Sequence, residues 1–141
     1  MGLTTEIKDG LGTGNKVQVT RRGQLVVAPL GYSEPYYVAM TSNNTAYNLT
    51  GPQTGKRFVI TGFIISADKS VGSDGSLIEV YEADAEDSTT VTKTVMTLQM
   101  QEKDNLPITP LNLIITEGVW LNAKMDDNNV YLTAMGYYIE A

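Results

Sequence analysis

The chain has 141 residues, 42% hydrophobic and 18% charged, with ten basic against sixteen acidic side chains (net charge −6) and neither Cys nor His. That length suits one domain burying roughly 68% of its unfolded surface. The missing His and Cys exclude Ser–His catalysis, disulfides and the usual zinc sites, and the acidic balance argues against nucleic acid, whose binding needs a basic stripe.

Taken in chain order, "MGLTTEIKDGLGTGN" (1–15) holds four glycines and few bulky apolar residues, as a flexible N-terminal arm would. It lacks the apolar run of a signal peptide, and no stretch of the chain is long and apolar enough to span a membrane. From residue 16 to 141 the pattern is that of a single β-sandwich domain. "KVQVT" (16–20) and "QLVVAPL" (24–30) flank the turn "RRG". Then follow "YYVAM" (36–40), "TAYNLT" (45–50), "RFVITGFIIS" (57–66), "SLIEVYEA" (76–83), "VTKTVMTLQM" (91–100), "LNLIIT" (111–116), "GVWLNAK" (118–124) and "NVYLTAMGYYIE" (129–140). The separators are rich in Gly, Pro, Asn, Asp and Ser, and no segment keeps a helical apolar stripe. Short strands at this spacing predict an all-β, antiparallel, jelly-roll-like sandwich of about eight to ten strands.

The period of two assigns faces. Met96, Leu98 and Met100 alternate with Val95, Thr97 and Gln99. In "RFVITGFIIS" alternation puts Phe58, Ile60 and Ile64 on one face and Val59, Phe63 and Ile65 on the other. A strand apolar on both faces needs a layer beyond the sandwich, often a neighbouring subunit. "GVWLNAKMDDNNVYLTAMGYYI" (118–139) reads as a hairpin turning through "MDDNN". Val119, Leu121 and Ala123 share one of its faces and Trp120, Asn122 and Lys124 the other. If Val119, Leu121, Val130 and Leu132 line the core, Trp120 and Tyr131 lie on the opposite face. Gly136 marks a bulge or a close backbone contact.

Candidate chemistry is sparse. "EVYEADAED" supplies Glu79, Glu82, Asp84, Glu86 and Asp87, but a like-charged run beside "STT" reads as a solvated loop rather than a carboxylate pair across a cleft. "GPQTGKR" has too few residues between its glycines for a phosphate loop, and a strand follows it, so it is a turn. "DKSVGSDG" offers Asp68 and Asp74 to a calcium ion but lacks the alternating oxygen ligands and closing Glu. No catalytic residue, metal site or cofactor is expected, and no enzymatic activity. The aromatics carry more: Tyr and Trp suit subunit interfaces, with an apolar body and a polar tip. Trp120, Tyr131, Tyr36 and Tyr37 are the candidate interface residues. Trp120→Ala is expected to shift an oligomer toward monomer while the fold survives.

The Gly-rich start, "GQLVVAPLGYSEPYYVAM", "RFVITGFIISADKSVG", "GSLIEVYEA" and "LNLIITEGVWLNAKMDDNNVYLTAMGYYI", covering much of residues 23–139, resemble small virion proteins of tailed bacteriophages. They are similar to jelly-roll head-decoration (cement) proteins and to β-sandwich knobs of tail appendages. The resemblance is of pattern, so no functional residue carries over by motif. It implies a homotrimer made in the bacterial host cytoplasm and placed on the outer capsid surface, where it bridges major capsid subunits. The arm and adjoining strands, with Leu11, Arg21 and Arg22, would contact the capsid; neither nucleic acid nor membrane is an expected partner. The alternative is a host-recognition knob of a tail or head fibre that binds surface glycan.

Overall fold

The described residues, 34–68, 75–127 and 129–141 of the computed structural model, form strands and no helix, as the period-two pattern predicts. Nine strands follow in order: β1 (Glu34–Met40), β2 (Tyr47–Thr50), β3 (Lys56–Ala67), β4 (Ser76–Ala83), β5 (Lys93–Met100), β6 (Asn105–Ile108), β7 (Leu113–Ile114), β8 (Trp120–Met125) and β9 (Val130–Glu140). They belong to the compact unit Tyr32–Ala141. The arm at 1–15, the segments at 16–20 and 24–30, Leu11, Arg21, Arg22 and Asp74 lie outside the described residues.

One sheet has the order β1-β9-β3-β6, with β7 also on β3; the other has the order β2-β8-β4-β5. All pairings are antiparallel, and four of them nest: β1 with β9, β2 with β8, β3 with β6, β4 with β5. A long ribbon whose tip is β4/β5, curled over on itself, produces this order, which is that of a jelly roll. The two inner faces meet in one core. Phe58, Ile60, Phe63, Ile65 and Leu132 come from the first sheet, and Ile78, Val80, Leu121, Ala123 and Met125 from the second. Met96, Leu98 and Met100 face that core, as their alternation requires.

Three local readings are corrected. In β3 the register steps from Ile60 opposite Gly136 to Gly62 opposite Met135, leaving Thr61 as an extra residue. A bulge reverses the faces beyond it. Phe58, Ile60, Phe63 and Ile65 therefore all turn inward, while Ile64 joins Val59 on the outer face. Residues 118–139 do not form a hairpin, because β8 and β9 belong to different sheets and do not pair. The Asp126 carboxylate accepts the Leu77 amide at 2.7 Å, which holds this end of the connection to β4. Asn129, at φ 60°, gives its carbonyl to the Asp68 amide at 2.9 Å, at the end of β3. The chain thus crosses between layers at "MDDNN". Finally, β6 was not expected, since Pro107 interrupts it; it sits at a sheet edge, where a missing amide costs no ladder bond.

Candidate interaction face

The two outer faces of the sandwich differ in kind. On the second sheet, Tyr81 and Asn122 lie opposite each other and are fully buried although both point outward. The loop at 84–92 folds back over them. Asn122 Nδ2 donates to the Ala85 carbonyl at 3.0 Å and the Ser88 carbonyl at 3.2 Å, and its Oδ1 accepts from Asn48 Nδ2 at 3.1 Å. Tyr81 donates its hydroxyl to the Ser88 carbonyl at 2.8 Å. Lys124 reaches the Thr89 carbonyl, pairs with Glu79 at 3.1 Å and lies 5.0 Å from the centre of the Tyr81 ring. The acidic run read as a solvated loop does hold exposed Asp84, Glu86 and Asp87, yet its backbone roofs this face. Glu79 points to that outer face while Glu82 points inward, so the two do not meet across a cleft.

Among the described residues no loop is pinned by side chains across the outer face of the first sheet, although outward-facing Val59 is buried and Thr109 leans over Gly62. Outward-facing positions on β9 are Tyr131, Thr133, Met135 and Tyr137, alternating with buried Val130, Leu132, Ala134 and Gly136. Cross-strand register sets Tyr37, Thr133, Ile64 and Pro107 in one row, and Tyr137, Val59 and Ile114 in another. Tyr37 is 62% exposed, Ile64 42% and Ile114 50%. Neither row carries a charged side chain. An apolar face of this kind is uncommon on a protein surface that stays in water. At one end a shallow depression is lined by Arg57, Ile114, Ile115, Thr116 and Glu117. The narrow void bordered by Thr50, Phe58, Leu121 and Tyr138 is water-sized rather than a ligand chamber.

Of the four candidate interface residues, Tyr37 and Tyr131 share this face. Tyr36 turns inward, edge-on to Phe58 at 5.1 Å between ring centres, and burial together with the Glu34 carboxylate pushes its hydroxyl up to about 12. Trp120 is on the other sheet altogether, against Gly51, where an added Cβ would come within 2.6 Å of the ring. Trp120 and Tyr131 therefore lie on opposite sides of the sandwich and do not form one patch. Trp120→Ala is now expected to cost about 1–2 kcal/mol of stability, being half-buried packing within the chain, and to leave the sedimentation coefficient unchanged. A loss of association in that variant would contradict this placement. The directions of Ile64 and Ile114 are set by the bulge and by the edge pairing of β7, which simple alternation along the sequence does not contain.

Glu82 closes one end of the sandwich. Its carboxylate, almost fully buried, accepts the Thr116 amide at 3.0 Å and the Lys93 ammonium at 3.0 Å. Burial alone would raise its pKa, but the Thr116 amide and Lys93 more than offset that, so it lies below the usual 4.5. With the folded value depressed, the unfolded chain binds the proton first, and this stabilisation is present above pH 4.5 and lost as pH falls toward the lowered value. Glu82→Gln should therefore flatten the acid side of a stability-against-pH curve. Parallel acid limbs for the variant and the parent protein would contradict it.

Among the described residues there is no group of three or more His, Cys, Asp or Glu placed to hold a metal ion. No protein-family model matches the chain, and no curated protein matches it either.

Proposed function

We propose that the protein is a structural virion protein, a capsid decoration protein that binds and stabilises a phage head by bridging major capsid subunits on its outer surface. The observation that carries this reading is the asymmetry of the two outer faces. One is covered over Tyr81 and Asn122 by the chain's own loop; the other displays Tyr37, Ile64, Ile114 and Tyr131. A sandwich built this way is suited to being covered on one side within an assembly. The jelly-roll order supports the reading by analogy, since the architecture recurs in viral capsid domains as well as in lectins, although a fold does not dictate a function. On a shell, contacts repeated at many sites make individually weak ones effective. The residues proposed to touch the capsid, Leu11, Arg21 and Arg22, lie outside the described residues.

Copy number in purified particles tests this. Quantitative mass spectrometry should find hundreds of copies per head. A dozen or fewer would assign the protein to a tail or head fibre as a knob, and absence from particles would remove the virion reading.

A further inference from the structure

We infer that the outer face of the β1-β9-β3-β6 sheet is where two copies of this chain pack against each other, face to face about a two-fold axis. The inference rests on reading this face as the assembly surface and goes beyond it by naming the occupant. Four strands at about 4.8 Å spacing and an average length near 30 Å give a footprint of roughly 600 Å² in projection, the same order as the about 800 Å² per partner of a standard interface. One face of this sheet therefore reaches the lower end of the area a specific dimer buries per partner.

Charge favours a second copy in this orientation. The chain carries a net charge of −6, so two copies repel unless their acidic groups are kept apart. Asp84, Glu86 and Asp87 are exposed on the loop that covers the opposite sheet. Face-to-face packing sets the two loops on the far sides of the dimer and brings the uncharged rows together, leaving Arg57 as an exposed charge at one end of the face. Tyr37, Tyr131 and Tyr137 suit this, because each offers a wide apolar ring to a partner while its hydroxyl keeps a polar contact. A patch that packs on its own copy is self-complementary, which requires a two-fold axis. The inference therefore departs from the trimer implied by the resemblance.

Sedimentation velocity of the full chain over a concentration series is the test, with Tyr37→Lys, Ile64→Lys and, as control, Leu77→Lys. Leu77 is 44% exposed on the outer face of the second sheet. The parent protein should be a dimer in the micromolar range, and either of the first two variants should weaken it about 100-fold or more by burying an unpaired ammonium. Leu77→Lys should sediment as the parent does, and all three should keep a β-type circular dichroism spectrum. A monomeric parent up to about 100 μM, which is a weak limit for a specific dimer, would overturn the inference and leave the face to a different protein. A trimer, or a dimer untouched by both lysines, would overturn it as well. Should both variants unfold, amide exchange of the parent decides: slowing across β1 and β9 with rising concentration supports the inference, and unchanged exchange overturns it. A dimer in solution with no copies in particles would remove the virion reading alone; a monomer abundant in particles would do the reverse.

Discussion

Gly136→Ala is expected to cost about 3 kcal/mol, enough to leave much of a small domain unfolded. Gly136 sits in the middle of β9, opposite Glu34 on one side and Ile60 on the other. A Cβ there would run into the Val59 carbonyl and the Phe58 ring, whose Cε1 would lie 2.9 Å away. The carbonyl belongs to the neighbouring strand and does not yield without opening the sheet. Nor is the ring free to move. Tyr36 meets it edge-on at 5.1 Å, and Tyr138 packs on it at 5.1 Å with its hydroxyl held by the Gly51 carbonyl at 2.6 Å. Gly118→Ala is the useful contrast, since nothing lies within 4 Å of the added methyl and only its φ of 79° opposes the change, for about 1 kcal/mol. Urea midpoints of the two variants measure the difference. A Gly136→Ala midpoint equal to the parent's would show that β9 and β3 are not held this closely.

Asn122→Ala is expected to cost about 2 kcal/mol and to free the loop at 84–92 from the sheet. The side chain is fully buried, and its amide serves the Ala85 and Ser88 carbonyls together. After truncation Ser88 still accepts from Tyr81, and Asn48 still reaches the Thr50 carbonyl at 3.1 Å, so the loss falls mainly on Ala85. Asn122→Asp should be worse. A carboxylate cannot donate to either carbonyl, and burying its charge adds a further penalty. Limited proteolysis read by mass spectrometry checks both, with cleavage expected inside 84–92 ahead of any cut in a strand. Cleavage of Asn122→Ala at the parent's rate would mean the loop is anchored by other contacts.

Much of this fold was legible because strand identity is a local property. Alternation in "VTKTVMTLQM" and "NVYLTAMGYYIE" is a period of two whatever the partners are, and both strands lie where the pattern put them. What failed depends on partners distant in sequence. Whether "MDDNN" turns a hairpin or bridges two layers is settled by Asp126 bonding to Leu77 and Asn129 to Asp68, and neither partner is adjacent in sequence. The same holds at Thr61, whose carbonyl accepts the Leu111 amide at 2.8 Å where the bulge interrupts the ladder. One extra residue there moved Ile64 from the core to the surface and hid part of the apolar face. Asn122 was noted only as a residue beside Trp120, because a buried amide pinning a loop has no signature in composition or spacing. Gly136 was legible as a close contact, since an isolated glycine inside a strong strand pattern signals one.

Hydroxyl-radical footprinting of Tyr37 and Ile64, in the dilute protein and in its assembled form, tests most directly the claim that the outer face of the first sheet is the one that becomes covered. Assembly should lower the reactivity of both residues several-fold while leaving Leu77, on the opposite side of the sandwich, as reactive as before. Protection of Leu77 with Tyr37 and Ile64 unchanged would contradict the account, for it would place the partner on the outer face of the second sheet instead.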